Sequence, residues 1–581
     1  MHLAYPEQLA HKRRLLAGSL ARQPELGPLE APELAGAEPV LGYRRRLKWL
    51  VGPAGELGML ARDAEHEVVD TPDCLVATPL LRAIAATVRA RLLADRAFRA
   101  SVSAIDLREV ETSAGPRALL AFVVRGAHPE TKRALETLAP ELARAHAELA
   151  GVALEQLPAE GARHFGGRIE PVWGLSELDE LDGSLRLLAT HGAFTQAHRG
   201  QAARLAAWIG ERAKRLGKEP RVLELYAGSG ALGLSLAARG ASVCFVESHR
   251  PALERAVRAG ERAGLEVRGA VDDAERWLID AERRGERFDL VIVDPPRRGL
   301  PPELRQALAR LAPRVVAYVS CNPSTLARDL GHLARLGLGA RELRALDMIP
   351  QTDEVEALAF LEPTTPAALH AAHVDERCVV FDLPPFTSAA SMLEATRALT
   401  GWPEPELVHP LPTSASGLSA VARDGAVRVE LERGLSIEAL VATKSVLRAK
   451  GRIARPVGAF RRASTTYRRV AVASGHSLAT LRATPASLGV AFAHLASLRH
   501  PVLGDPTSCD APTRKHFFER HGLDRAFAHV TRLGLPSGLE LRSELAGDLG
   551  SVAESLGVES GALSGGLQTP AHDGDGSGGP G

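Results

Sequence analysis

Two short apolar runs stand out in the hydrophobic pattern of this chain. Leu290 to Val293 and Val315 to Val319 are continuous and rich in β-branched residues. Runs of that kind form strands buried on both faces. Polar residues follow each one at once. The first leads into Asp294-Pro295-Pro296-Arg297-Arg298-Gly299, the second into Ser320-Cys321-Asn322-Pro323-Ser324-Thr325. From Gly192 to Pro363 apolar runs alternate with helical patterns, which predicts βαβ units and a parallel sheet. Upstream, Arg44 to Val51 and Leu119 to Val124 read as strands and Pro79 to Leu93 as a helix. Leu9, Leu15, Leu16 and Leu20 mark the apolar face of an opening helix. Downstream of a Pro/Ala linker at 364–368, residues 374 to about 555 read as a further α/β or mainly β unit. From Ser564 on, Gly, Pro, Asp and Ser dominate, and a disordered tail is expected.

Composition refines this picture. A chain of 581 residues exceeds one domain. Its formal charge of +1 gives no global field that would announce a nucleic-acid partner. Basic residues cluster locally, at His11 to Arg14, Arg44 to Lys48, Arg461-Arg462 and Arg468-Arg469. Five cysteines without close pairs argue against a disulfide framework and for a reducing, cytoplasmic setting. No apolar run is long enough to span a membrane.

The candidate chemistry sits where the two strands end. In doubly wound sheets ligands bind at that edge. A thiol there, Cys321, is a candidate nucleophile, the plain alternative being a small buried hydrophobe. Arg221 to Gly233 reads as strand, glycine turn and helix start, with Gly228-x-Gly230-x-x-Gly233. That spacing also fits dinucleotide binding. Glu247 ends the next strand, where its carboxylate can accept from ribose hydroxyls in either case.

These residues resemble the RNA uracil-C5 methyltransferase family. Asp294 to Gly299 and Tyr318 to Asp329 look like two of its signature blocks. Phe194-Thr195-Gln196-Ala197-His198 and Asp347 to Glu356 look like two more, in the right order. The resemblance covers about the first 363 residues. It implies a Rossmann-like α/β domain that uses S-adenosylmethionine, held by Gln196, Tyr226, Gly228, Gly230, Glu247, Asp273 and Asp294. It implies Cys321 as nucleophile on uracil C6 and Glu356 as the base that removes the C5 proton, with no metal. Two departures accompany it. Glu354 stands where relatives carry His, and Ala231 where many carry a polar side chain. Amino-group methylation is the rival within the class, but Arg297 follows Asp-Pro-Pro where those enzymes place an aromatic ring. Many relatives also hold an iron–sulfur cluster, which one matching cysteine, Cys74, cannot support. Either the cluster was lost or the true start lies upstream.

Residues 374 to about 535 resemble RNA pseudouridine synthases. Val379 to Pro385 looks like the opening strand and His409 to Leu418 like the catalytic block. The departures fall on the chemistry. Pro412 replaces the nucleophilic Asp, Pro410 an Arg and Val446 a Tyr, while Ser487 and Phe492 fill arginine positions. The expected organisation is therefore an N-terminal helix and α+β RNA-recognition region (1–190), a methyltransferase domain (191–363), an inactive synthase-like α+β domain (374–555) and a tail (556–581). The expected partner is structured RNA, ribosomal rather than transfer RNA, acted on by a monomer. Arg461, Arg462, Arg468 and Arg469 are expected to face phosphate, so deletion after Pro363 is expected to weaken RNA binding while sparing the methyl-transfer residues. The alternatives are a bifunctional enzyme that also makes pseudouridine, through Asp424 or Asp505, and a non-catalytic RNA-binding protein.

Overall fold

The structure, a computed structural model, describes residues 3–558 apart from 28, 62–66, 127–128, 162, 184 and 365–368. The expected tail thus lies largely outside the described residues.

The βαβ pattern folds into an eight-stranded sheet. Its order is Leu34–Ala35, Leu338–Leu346, Glu356–Pro363, Val315–Ser320, Leu290–Val293, Arg221–Leu225, Ser242–Glu247 and Val267–Val271. Every pairing is parallel except the two made by Glu356–Pro363. The continuous apolar runs are explained by helices on both faces. Val291 and Val293 point into one core with Tyr318 and Leu326. Leu290 and Ile292 point into the other with Val319 and Leu205. Chain order reverses beside Arg221–Leu225, so the crevice of a doubly wound sheet opens there.

A seven-stranded sheet built from residues 46–174 carries the helices Pro79–Ala94 and Pro129–Ala145 on its core. The basic cluster at Arg44 to Lys48 is largely spent on this sheet. Arg46 forms a bidentate pair with Asp106, and Arg45 lies 3.2 Å from Glu111. Arg46 also donates to the Ala193 carbonyl at 2.6 Å, which ties this sheet to the segment that begins at Phe194.

Two expected boundaries move. The opening helix, Tyr5–Leu20, packs against the first sheet and not within the N-terminal region. Leu16 and Leu20 enter that core, whereas Leu15 is exposed. Lys12 forms a fully buried 2.6 Å ion pair with Asp347, and Leu34–Ala35 adds an edge strand to the sheet. The expected 1–190 unit is therefore discontinuous, because its first stretch is held by a charge more than 300 residues away. At the other end, the second half starts with the strand His370–Val374. Leu556 and Val558 pack in one of its cores, so the first residues assigned to the tail are structured. This half is a mixed, mostly antiparallel ten-stranded sheet with helices. No helix among the described residues is long and apolar enough to cross a membrane.

Candidate active site

The carboxyl edge of the eight-stranded sheet gathers the expected residues. Cys321 follows the last residue of Val315–Ser320, and Asp294 follows the last residue of Leu290–Val293. Glu356 arrives from the opposite direction. It opens the one antiparallel strand, so its amino end lies where the parallel strands finish. The register sets Ser320 opposite Ala357, and Leu346 opposite Glu356.

Local chemistry fixes the thiol loop. Asn322 caps the helix Pro323–Arg335, its Oδ1 accepting from the N–H groups of Ser324 and Thr325, with Pro323 at the first helical position. Its Nδ2 and the Thr325 hydroxyl both donate to the Arg297 carbonyl, at 3.1 and 3.0 Å. The two signature loops are thus fastened to each other. Below them Asp329 is fully buried and accepts from Tyr318 Oη, the Leu300 N–H, Arg305 and Arg328.

Electrostatics join Cys321, Glu356, Asp294, Arg297 and Glu354 into one group. Burial pushes the thiol up to about 11, aided by Glu356, Asp294 and Glu354, while Arg297 opposes them. Burial drives Glu356 well above the usual carboxylate range, with Asp294 adding to the shift. Asp294 itself is raised to about 7 by burial. Two such carboxyls share their protons as a pair. No donor among the described residues bonds to either side chain. Glu354, at the departure from the family pattern, forms an ion pair with Arg297. That pair was not foreseen from the residues. The one available cue was that both positions are charged and lie in signature blocks.

The cofactor expectation can be tested on the glycine turn. Tyr226, Gly228 and Gly230 all have positive φ, 60°, 54° and 72°. At Gly228 a Cβ would meet nothing within 4 Å, so its backbone borders open space. At Gly230 a Cβ would meet Ala256 at 2.8 Å, and the turn needs glycine for that reason. Glu247 accepts from the Gly228 and His249 N–H groups at 3.0 and 2.7 Å. Glu224 faces inward beneath the turn. It accepts from the Gly233 N–H at 2.8 Å, and burial raises it to about 8. Asp273 caps the helix Ala274–Arg283 from the next strand end and lies close enough to raise Tyr226, after the larger effect of burial. The polar ends of Gln196 and Tyr226 make no hydrogen bond to another described residue. A row of strand-end acids beside an open glycine turn fits a nucleoside bearing a cationic sulfonium.

In the second half the family's chemistry is absent from the matched positions. Pro412 lies in a loop, Phe492 is buried in the core, and Ser487 caps the helix Leu488–Ser497. The two alternative acids are engaged elsewhere. Asp424 caps the helix Gly425–Gly434, and Asp505 accepts from the N–H and hydroxyl of Ser508. No metal was expected. His373, Asp375 and Cys378 do present ligand atoms within 4.8 Å of one another on the first hairpin of this half.

The chain is similar in sequence and fold to known proteins. The model of the family described as conserved hypothetical protein 95 matches residues 203–334. The 23S rRNA (uracil(1939)-C(5))-methyltransferase RlmD of Pseudomonas aeruginosa is 33% identical over 372 residues, covering 62% of this chain and 77% of that protein. Among solved structures, the tRNA (uracil-54, C5)-methyltransferase of Pyrococcus abyssi, in complex with S-adenosyl-L-homocysteine, is 26% identical. It covers 62% of this chain and 84% of its own, with a TM-score of 0.51. The human RNA pseudouridylate synthase domain containing 1 is 17% identical over 30% of this chain, with a TM-score of 0.26, a likeness too faint to argue from. With a third of the 372 matched residues identical to RlmD, over three quarters of that protein's length, the chain belongs to the family of RNA uracil-C5 methyltransferases.

Proposed function

We propose that the chain methylates C5 of a uridine in RNA, with S-adenosylmethionine as donor, through a covalent bond between Cys321 Sγ and uracil C6. The observation that carries this reading is the convergence of Cys321, Glu356 and Asp294 at one sheet edge, beside the glycine turn. Uracil C5 is a poor nucleophile. Addition of the Cys321 thiolate at C6 gives C5 enolate character. S-adenosylmethionine supplies an electrophilic methyl group that the activated carbon accepts. Glu356 then takes the C5 proton, and the thiolate leaves C6. A carboxylate held above its ordinary range is the stronger base for that step. Asp294 reads the polar edge of the base, and Arg297 faces the thiol as counter-charge. Gln196, Tyr226, Gly228, Gly230, Glu247 and Asp273 hold the nucleoside part of the donor.

The substrate we infer is large-subunit ribosomal RNA, acted on by a monomer in the cytoplasm. The likeness to RlmD supports this choice. The second half has the sequence marks of a pseudouridine synthase without its nucleophile, so it makes no pseudouridine. The test is mass spectrometry of ribosomal and transfer RNA from a strain lacking the gene. One 5-methyluridine should vanish from large-subunit RNA and return on complementation. An unchanged 5-methyluridine content in both RNAs would sink the assignment.

A further inference from the structure

Charge is unevenly placed along the second half. The stretch 439–504 contains eleven Lys and Arg residues and no Asp or Glu, in a chain whose 71 basic and 70 acidic residues otherwise balance. The net charge of +1 gives no reason for this segregation. The structure gathers much of it on one hairpin, Lys450–Ala454 paired with Ser464–Ala473, at the outer edge of the ten-stranded sheet. Opposed residues of an antiparallel pair share a face. Ile453 and Tyr467 turn into the core of this half. On the other face Lys450 stands opposite Arg468, and Arg452 opposite Thr466.

The connecting loop carries more charge. Val457 and Phe460 exchange two backbone hydrogen bonds, of 3.2 and 2.9 Å, across Gly458, whose φ is 54°. This closed turn holds Phe460 48% exposed, directly before Arg461 and Arg462, which are exposed as well. Arg448, Lys450, Arg452, Arg461 and Arg462 make no ion pair among the described residues. Lys444 and Arg482, elsewhere in the stretch, pair with Asp510 and Glu438. Of the arginines expected to face phosphate, Arg469 is turned to the Leu447 carbonyl at 2.5 Å. Edge strands carry cations that keep other chains from pairing with them. That need accounts for Lys450 and Arg452. It does not account for a pair of arginines beside an exposed aromatic ring in the loop.

We propose that the hairpin 448–469 is an RNA-binding arm, in which Lys450, Arg452, Arg461 and Arg462 take phosphates and Phe460 stacks on an unpaired base. The identity of the ligand rests on the RNA-methylation reading of Cys321. Cations without neighbouring acids attract a polyanion, and release of its counterions drives binding. Base stacking gives the exposed ring a partner of its own. The synthase-like half thereby supplies substrate affinity in place of chemistry of its own.

The experiment uses three variants of the full-length chain: Arg461→Gln with Arg462→Gln, Phe460→Ala, and a control, Arg397→Gln with Arg433→Gln. The control arginines are exposed on the helices Ala389–Thr400 and Gly425–Gly434, which pack by the strand Ser416–Ala422, several strands away from the hairpin. Thermal unfolding and S-adenosylhomocysteine binding should be unchanged in all three. In filter binding with an oligouridine, the Arg461/Arg462 variant should bind more weakly. Its slope of log affinity against log salt should become shallower by about 1.4, roughly 0.7 per lost contact. Phe460→Ala should weaken binding about tenfold at an unchanged slope. The control should match the wild type. Wild-type affinity in the Arg461/Arg462 variant or in Phe460→Ala, or an equal loss in the control, would overturn the proposal. Retained oligouridine binding together with lost binding to phosphatidylglycerol vesicles would also overturn it, and would assign the hairpin to a lipid surface. If the wild-type chain methylates no RNA while these binding differences appear, the parent reading fails and the arm stands.

Discussion

Around Cys321, three acids oppose ionisation of the thiol and Arg297 favours it. The resting site thus keeps its nucleophile protonated near neutral pH, in a pocket where Asp294 and Glu356 also hold their protons above the usual carboxylate range. Predictions of two kinds belong here, the first on turnover. Cys321→Ala should abolish methyl transfer while retaining S-adenosylhomocysteine binding. Glu356→Gln should slow turnover by about 10²–10⁴-fold and accumulate an RNA–protein adduct, because addition proceeds and elimination stalls. The adduct is read as a retarded band on a denaturing gel, and rapid turnover without it would move the base elsewhere. The second kind concerns pH. With the thiol raised to about 11, alkylation of Cys321 by iodoacetamide in the free protein should accelerate steadily from pH 7 to 10. Glu354→Gln removes a charge that raises the thiol and releases Arg297 from its ion pair. Alkylation at pH 8 should therefore become several-fold faster, followed by mass spectrometry of the Cys321 peptide. Slower labelling in that variant would contradict the electrostatic picture.

Among the elements, the opening helix Tyr5–Leu20 has an unexpected task. It grips the loop that leads into Glu356. Lys12 pairs with Asp347 and donates to the Ile349 carbonyl at 3.1 Å. Gln8 and Gln351 exchange hydrogen bonds, side chain to side chain and side chain to backbone. Tyr43 adds a 2.9 Å bond to the Pro350 carbonyl. A buried pair that loses one partner leaves an uncompensated charge, which costs about 3–5 kcal/mol. Lys12→Met should therefore lower stability by roughly that amount in urea unfolding. The double variant Lys12→Met with Asp347→Leu should recover most of it, since neither charge is then left alone. Equal destabilisation in both would mean that the pair contributes packing and not charge compensation.

For the whole molecule, the two halves share one charge network. Arg305 bridges Asp329 of the thiol helix and Asp524 of the second half, and Arg328 lies 3.7 Å from Asp524. Phe386, from the second half, stacks on His332 at 5.0 Å. Removing the second half would leave the methyl-transfer residues in the chain but take away these contacts, which brace the helix that starts after Cys321. Asp524→Ala should leave two buried guanidinium groups sharing one carboxylate. A loss of about 2–4 kcal/mol is expected, with a lower kcat at unchanged cofactor affinity. Wild-type unfolding and kcat would show that the halves are energetically independent.

Much of this protein was readable along the chain. The apolar runs of Leu290 to Val293 and Val315 to Val319 had to be strands covered on both faces, and their polar continuations had to emerge at one edge. The positive-φ turn at Gly228 and Gly230, and the N-cap at Asn322, are local matters that residue type settles. Long-range placement was not readable. Glu356 meets Cys321 because a single strand runs antiparallel, and direction is fixed by pairing across the sheet and not by the strand's own residues. Lys12 and Asp347, Arg297 and Glu354, and Arg305 and Asp524 are charged residues that look like surface positions in sequence. Their partners lie tens to hundreds of residues away, so only the packed chain decides which charges pair and which of the pairs are buried.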